Sequence, residues 1–202
     1  MTSIWGPLGW MTLHSVASLY PNTPTEAERL LMVKWLDLFR DTITCPSCQA
    51  HFAELLASYR AQFPNMLYSR RDFLLFTFRA HNSVNKRIGK PVYGTVQECF
   101  DLLRKNVQFN KAQSFRITYT NHITRHWRTF QDASGMSAMK KINEIKKIEI
   151  QYMAARSNEF EEIISEDNLI FSTGVQEPAR PMFINRNAPR LVMTATGMRL
   201  RK

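Results

Sequence analysis

The chain has 202 residues, of which 44% are hydrophobic and 22% are charged, a composition typical of a globular protein with a sizeable core. Its 27 basic and 17 acidic residues give a net charge of +10, but the excess is spread along the chain and does not by itself indicate a nucleic-acid partner. No stretch reaches the roughly 18–20 apolar residues of a membrane-spanning helix, and residues 1–20 lack the pattern of a signal peptide. We therefore expect a protein that is neither secreted nor embedded in a membrane.

The first half of the chain is predicted to be helical. Only 7 glycines occur beside 13 phenylalanines, 6 tyrosines and 4 tryptophans, which favours an all-α fold over one with many tight turns. Residues 6–20 carry apolar side chains at helical spacing and stop at Pro21, because the residue before a proline disfavours helix. Thr23 then predicts the N-cap of a second helix, with Glu26 closing a capping box and the helix reaching about residue 44.

Three more helices are predicted before residue 105. Thr44 can cap a short third helix over residues 45–59. A capping box that begins at Ser69 opens a fourth helix rich in phenylalanine, and Gly89 supplies its stop. Thr95 caps a short fifth helix. We therefore predict that residues 1–105 form one domain, a four-helix bundle plus a short fifth helix.

The second half gives weaker signals. Residues 106–171 form an extension of uncertain fold, in which residues 115–120 fit a short strand as well as a helix. Residues 136–164 carry apolar side chains at helical spacing, which predicts a long helix with one face buried on the bundle or on a second copy. Residues 172–202 contain three prolines and mostly basic charges, which predicts an extended, mobile tail.

The motif Cys45-Pro46-Ser47-Cys48 carries the clearest chemistry. It places two sulfurs within bonding reach at the start of a predicted helix, where the helix N-terminus favours a thiolate. A redox-active pair and half of a zinc site both use this spacing. The third cysteine, Cys99, has no cysteine near it and is interpreted as a small buried hydrophobic residue rather than a catalytic one.

Two sets of residues with hydrogen-bonding side chains flank this motif in the sequence, one on each side. Trp10 and His14 share a helical face and can wall a flat aromatic ligand, or they can be a core tryptophan beside a hydrogen-bonded core histidine. His81, Asn82 and Asn85 lie on one side of the fourth helix within an otherwise apolar run. Unpartnered polar groups there would cost about 1–3 kcal/mol each, so a ligand rich in heteroatoms or a network at the helix end must satisfy them.

The order and spacing of these motifs are specific. The chain contains Trp5-Gly6-x-x-x-Trp10-x-x-Leu13-His14, Tyr20-Pro21, Cys45-x-x-Cys48 and His81-Asn82-x-Val84-Asn85-x-x-x-Gly89-Lys90. Over about residues 3–105 this pattern resembles the Erv/ALR family of FAD-dependent sulfhydryl oxidases. The absence of a second cysteine pair is similar to family members encoded by large DNA viruses, whereas many cellular members carry a further pair that shuttles electrons.

The resemblance implies a helical bundle that holds FAD against the Cys45–Cys48 pair and forms a homodimer through the same domain. It implies a set of cofactor-binding residues: Gly6, Trp10, His14, Tyr20, His81, Asn82, Val84, Asn85, Lys86, Lys90 and Tyr93. It further implies that a protein dithiol attacks Cys45, that Cys48 faces the flavin, and that electrons pass through FAD to O2 and give H2O2. Residues 100–202 contain no cysteine, so substrates are expected to reach Cys45 directly.

The same resemblance suggests viral redox proteins as substrates, and the cytoplasm of an infected cell or the virion as the location. One alternative is a zinc module in which His51 and either His81 or Cys99 join Cys45 and Cys48, but a second close pair of ligands is missing and we expect no metal site. A thioredoxin-like enzyme would need strands that residues 1–105 do not predict. A scaffold or nucleic-acid-binding role for the basic second half is the remaining alternative, and it is weakened by the lack of interleaved aromatic residues.

Overall fold

The computed structural model describes residues 2–95, 97–98, 101, 104–105, 111–159, 191–194 and 197–200. The described residues form six α-helices: α1 Thr2–Leu19, α2 Glu26–Asp41, α3 Pro46–Gln62, α4 Arg70–Arg87, α5 Lys111–Trp127 and α6 Ala133–Ile148. A π-helical turn, Glu149–Met153, continues α6. Strands β1 Leu191–Thr194 and β2 Gly197–Leu200 pair as an antiparallel hairpin. The predicted all-α class is confirmed.

The first two helices differ from the prediction at their ends. Helix α1 begins at Thr2, four residues early, and it contains Pro7, which lacks an N–H and so removes one hydrogen bond from the helix. The predicted cap of α2 at Thr23 is wrong: Thr25 accepts the N–H of Glu28, and the Glu28 carboxylate accepts the N–H of Thr25. The helix ends at Asp41 rather than near residue 44, which frees the chain to turn before the cysteine motif.

Helix α4 begins and ends as predicted. Ser69 caps its first turn, and Gly89 adopts a positive φ of 69° just beyond its end. The N–H of Gly89 donates to the carbonyl of Lys86, and the N–H of Lys90 donates to the carbonyl of Asn85. These two bonds form a Schellman motif, which favours glycine at the left-handed position. The motif fixes where the chain, and with it Lys90, leaves the helix.

The fifth predicted helix is supported in the part that the structure describes. Thr95 Oγ1 accepts the N–H of Glu98 at 3.1 Å, which is the predicted cap. Residues 97–98, 101 and 104–105 are helical. Cys99 lies outside the described residues.

The extension is more helical than predicted. Residues 111–127 form α5, so the alternative of a strand over residues 115–120 is wrong. Helix α6 begins at residue 133 and becomes π-helical at residue 149, after which residues 154–159 are not helical. The predicted helix is therefore longer than the observed one, and residues 160–164 lie outside the described part of the chain.

The extension packs on the bundle, which is one of the two predicted positions. Tyr119 of α5 stacks on Phe39 of α2 with ring centroids 5.3 Å apart, and Ile142 of α6 is fully buried in the same core. Helix α6 runs antiparallel to α2, because Lys141 pairs with Asp41 whereas the π-helical turn reaches the other end of α2. The extension thus covers faces of α1 and α2.

The basic tail is partly described. The hairpin of β1 and β2 pairs residue 191 with residue 200 and residue 194 with residue 197. This pairing differs from the extended tail that the composition predicts, and residues 172–190 lie outside the described residues. Among the helices that the structure describes, none is both long and apolar enough to cross a membrane.

Candidate active site

The turn between α2 and α3 presents the redox motif. Cys45, not Thr44 as predicted, is the N-cap of α3, and its sulfur accepts the N–H of Cys48 at 3.3 Å. Pro46 occupies the first helical position, where its missing N–H costs nothing. Cys45 and Cys48 form a disulfide with a Cα–Cα distance of 5.2 Å, and both residues are partly exposed. The spacing of the motif therefore gives an intrahelical disulfide at the N-terminus of α3.

A cavity of about 670 Å³ opens beside this disulfide, within the range of small-molecule and cofactor sites. Its lining includes Cys48 but not Cys45. Most of the predicted cofactor residues also line it: Gly6, Trp10, His81, Val84, Asn85, Lys90 and Tyr93. Residues from three separate regions of the sequence therefore meet in one place, with one sulfur of the disulfide among them.

Aromatic side chains form a flat wall of the cavity. Trp10 and His81 stack with centroids 4.4 Å apart and planes 9° from parallel. Phe52 meets Trp10 edge-on at 6.4 Å, and Tyr93 meets His81 edge-on at 5.6 Å. Such a wall suits a planar heteroaromatic ring.

The protons of the two histidines can be assigned from their neighbours. The Thr77 hydroxyl donates to the Leu74 carbonyl at 2.8 Å, so its oxygen must accept from Nδ1 of His14, 2.9 Å away. In neutral His14 the other nitrogen, Nε2, carries no proton. It therefore accepts a hydrogen bond from Nδ1–H of His81, 3.1 Å away. Because Nδ1 of neutral His81 carries the ring proton, Nε2 is a hydrogen-bond acceptor. His81 lines the cavity.

Electrostatics support the neutral forms. Burial holds the pKa of His14 well below its usual value, and His81 adds to the effect. Burial also lowers the pKa of His81 to about 4, with a further contribution from the positive charge of Lys90. Both imidazoles are therefore uncharged at neutral pH, as the hydrogen-bond chain requires.

Two asparagines of α4 place the segment that follows the helix. The Asn82 side chain donates to the carbonyl of Tyr93 and accepts its N–H, both at 2.9 Å. Asn85 Nδ2 donates to the carbonyl of Pro91 at 3.1 Å. These bonds fold residues 91–93 back along the helix and set Tyr93 into the cavity wall.

Cations and further apolar groups complete the cavity. Arg87 and Lys90 both line it, and Arg87 Nη1 donates to Nδ1 of the exposed His51 at 2.8 Å. Positive side chains near an aromatic cavity suit a ligand that carries phosphates as well as a ring. Phe39 and Ile43 contribute apolar surface from α2 and the turn after it.

Comparison with known proteins assigns the family. A model of the Erv1 / Alr family matches residues 8–115, just over half of the chain. The chain belongs to the Erv1/Alr family.

Relatives of this Erv1/Alr protein occur in large DNA viruses and in cellular organisms. It is 35% identical over 88 residues to the "FAD-linked sulfhydryl oxidase" of African swine fever virus (isolate Tick/Malawi/Lil 20-1/1983), covering 44% of this chain and 71% of the relative. It is 31% identical over 111 residues to the "Probable FAD-linked sulfhydryl oxidase R368" of Acanthamoeba polyphaga mimivirus, covering 55% and 76%. The "Mitochondrial FAD-linked sulfhydryl oxidase ERV1" of Saccharomyces cerevisiae is 32% identical over 88 residues, covering 44% of each. No solved structure gives a significant match to the chain.

Four predicted cofactor residues of the Erv1/Alr domain do not line the cavity. His14 and Asn82 lie behind the wall and hold residues that do line it. Tyr20 is fully buried elsewhere, and its hydroxyl donates to the carbonyl of Leu67 at 2.9 Å. Lys86 is exposed on α4, outside the cavity lining.

Several lining residues were not among the predictions. Arg87 and Ile88 lie inside the motif of the fourth helix, so its spacing could have indicated them. Phe39, Ile43 and Phe52 carried no usable signal, because apolar side chains that line a cavity look like core residues in a sequence.

The zinc alternative finds no support in this site. The two sulfurs are bonded to each other, and a zinc site would need them as free thiolates. His51 is hydrogen-bonded to Arg87, and His81 belongs to the histidine chain. Within the described ranges, no group of three or more His, Cys, Asp and Glu side chains could hold a metal ion.

Proposed function

We propose that this protein is an FAD-linked sulfhydryl oxidase, which makes disulfides in protein dithiols and passes the electrons through FAD to O2, giving H2O2. The names of its viral and yeast relatives support this function. The observation that carries it is the asymmetry of the disulfide: Cys48 lines the aromatic cavity, whereas Cys45 lies outside that lining and is partly exposed. One sulfur can therefore meet a substrate while the other meets a bound cofactor.

The residues that are present fit FAD. The stacked pair of Trp10 and His81 can lie against a planar ring, and Nε2 of His81 can accept a hydrogen bond from it. Arg87 and Lys90 can meet the two phosphates. When bound there, FAD would accept two electrons from a dithiol and deliver them to dioxygen.

The two cysteines have different tasks in this reaction. A substrate thiolate attacks the sulfur of Cys45, the Cys45–Cys48 bond breaks, and Cys48 leaves as a thiolate. Cys48 lies in the first turn of α3, where the positive end of the helix dipole stabilises this charge. The second substrate thiolate then attacks its own mixed-disulfide sulfur and releases Cys45. The substrate has lost two electrons, and the reduced pair holds them with Cys48 beside the cavity.

Replacing each cysteine separately tests these roles. Both Cys48→Ser and Cys45→Ser should lose essentially all dithiol turnover but stay yellow, because neither change removes the cavity. Cys45→Ser keeps a thiol beside the cavity, so its visible spectrum should show a thiolate-to-flavin charge-transfer band, and Cys48→Ser should show none. Oxygen consumption and peroxide release with a small dithiol give the turnover. Normal turnover in Cys48→Ser would exclude the proposed function.

We also propose the finer expectations of the resemblance: a homodimer, viral protein dithiols as substrates, and action in the cytoplasm of an infected cell or in the virion. Relatives in large DNA viruses support the last two. A homodimer would have to use faces other than those of α1 and α2 that the extension covers. Sedimentation velocity of the holoenzyme measures the oligomeric state directly.

A further inference from the structure

Three rings at the C-terminal end of α5 form a partly exposed group next to the loop that carries the redox disulfide. His126, Trp127 and Phe130, here called the extension cluster, have ring centroids 5.2–5.4 Å apart. Phe130 is 42% exposed and the other two are partly exposed. Single exposed apolar side chains are common, but grouped rings are typical of a contact surface. Only His126 and Trp127 lie in a regular helix, and all three residues follow the segment that the family model matches.

The extension cluster is tied to the loop that carries the disulfide. Trp127 Nε1 donates to the carbonyl of Thr42 at 3.0 Å. Thr42 precedes Cys45 by three residues, which can separate their Cα atoms by no more than about 11 Å. The loop itself is held in place, since Gln49 Nε2 donates to the carbonyl of Asp41 at 2.8 Å. A substrate thiol at Cys45 is therefore within a few residues' reach of the cluster.

The cluster is held rigidly by a tight turn. The N–H of Phe130 donates to the carbonyl of Trp127 at 3.3 Å, which bends the chain back at the end of α5. A Cβ atom on Gly135 would lie 2.1 Å from the carbonyl oxygen of Phe130, so only glycine lets α6 begin this close to the turn. A surface that is already ordered loses little entropy when it binds.

The charge beside the cluster is positive. Arg125 and Arg128 are exposed at the end of α5, and neither forms an ion pair with a described residue. Of the nearby carboxylates, Asp41 pairs with Arg40 and Lys141, and Asp132 accepts the N–H of Gly135 as the N-cap of α6. The surface therefore combines apolar rings with two arginines that pair with no acidic residue in the described part of the chain.

We propose that the extension cluster binds the polypeptide of the substrate next to its dithiol. The occupant is an extended segment with an apolar side chain a few residues from the attacking cysteine, since an extended chain spans about 3.3 Å per residue. Acidic side chains of the same segment meet Arg125 and Arg128. The inference rests on the proposed oxidase function and adds a substrate class to it: reduced, extended segments that are apolar and acidic near their cysteines.

Two synthetic peptides test this preference. Both carry a Cys-Gly-Ser-Cys dithiol with aspartates beside it, and they differ only in a Phe or a Gly about three residues from the first cysteine. The holoenzyme should have a KM about fivefold or more lower for the Phe peptide, the gain expected from partly burying one aromatic ring. In Phe130→Ala this advantage should disappear, while kcat and turnover of dithiothreitol stay unchanged. Phe130→Leu should retain most of the advantage, because it keeps an apolar side chain.

Ile150→Ala is the matched control. Ile150 is 75% exposed and lies in the π-helical turn, at the opposite end of α2 from Thr42. This change should leave the preference intact, and FAD content and circular dichroism should be those of the parent protein in all variants. A preference that persists in Phe130→Ala, or a change in sedimentation with no change in peptide KM, would overturn the inference. Absence of dithiothreitol oxidation by the FAD-loaded parent would instead overturn the proposed function.

Discussion

The chain of hydrogen bonds from Thr77 through His14 to His81 shows why the site needs two histidines. His14 is almost fully buried and does not line the cavity, yet it fixes which nitrogen of His81 carries a proton. His81 can then present an acceptor only as long as both rings are neutral. A sequence pattern can locate both histidines. It cannot tell that His81 lines the cavity while His14 lies behind it, because burial is not visible in the pattern.

The neutral histidines predict acid-sensitive stability. A histidine with a folded pKa below its unfolded value binds its proton mainly after unfolding, so stability is full above about pH 6.5 and falls as pH decreases towards the folded pKa. For His81 this window reaches from about 6.5 to about 4. The free energy of unfolding in urea should therefore fall between pH 7 and pH 5, with a limiting slope of about 1.4 kcal/mol per pH unit for each histidine.

Variants separate this effect from other titrations. The measurements stay above pH 5 so that carboxylates do not contribute. Carboxylates with a lowered pKa, such as Glu28 and Asp41, lose their stabilising charge only when they are protonated at lower pH. His14→Gln should remove one histidine's share of the slope, while His81 and His126, whose pKa burial also lowers, keep theirs. His122→Gln replaces a histidine outside the site and should leave most of the slope. A flat profile from pH 7 to pH 5 in the parent protein would contradict the assignment of neutral rings.

Helix α4 and the segment after it form one functional element. The Schellman motif ends the helix at a fixed point, and Asn82 and Asn85 then hold the returning chain through side-chain bonds to its backbone. The sequence predicted both asparagines as parts of the cofactor site. Asn82 does not line the cavity but positions Tyr93, which does.

Asn82→Ala should weaken both the fold and cofactor binding. The change removes the two hydrogen bonds to Tyr93 from a residue that is 1% exposed, at a cost of about 1–2 kcal/mol in the free energy of unfolding. Tyr93 would leave the cavity wall, so the Kd for FAD, measured by flavin fluorescence, should rise. Ser83→Ala, on the next residue of α4, is the control and should change neither value. An unchanged FAD Kd in Asn82→Ala would show that Tyr93 does not depend on this anchor.

Local signals decided which helices could be predicted. Helix α4 has a serine cap and a glycine stop, and both ends are as predicted. Helix α2 has two threonines before it that fit a cap, and only the packed structure selects Thr25. Residues 111–127 carry β-branched and aromatic side chains that suit a strand equally well, and they are helical because one face is buried on α1 and α2. Tertiary packing supplied the information that local propensity lacked.

At the scale of the whole molecule, the extension and the bundle share one core. Tyr119 of α5 stacks on Phe39, and Phe39 lines the cavity and meets Phe52. The extension is therefore packed directly behind the cavity beside the disulfide, although it lies largely beyond the segment that the family model matches. No sequence motif marked this contact, because it joins residues that are 80 positions apart through apolar side chains alone.

This shared core predicts that the extension and the bundle unfold together. Arg116, with a side chain 4% exposed, forms a bidentate pair with Glu149 and donates to Ser15 of α1. Arg116→Ala should cost about 3 kcal/mol, because it leaves a largely buried carboxylate without its partner. Lys34→Ala, which removes an exposed pair with Glu144, is the matched control and should cost less than about 1 kcal/mol.

In urea, loss of helical circular dichroism and release of flavin fluorescence should coincide in every variant, and both should shift to lower urea concentrations in Arg116→Ala. If Arg116→Ala lost part of its helical signal while flavin stayed bound at parental urea concentrations, the extension would be an independent unit.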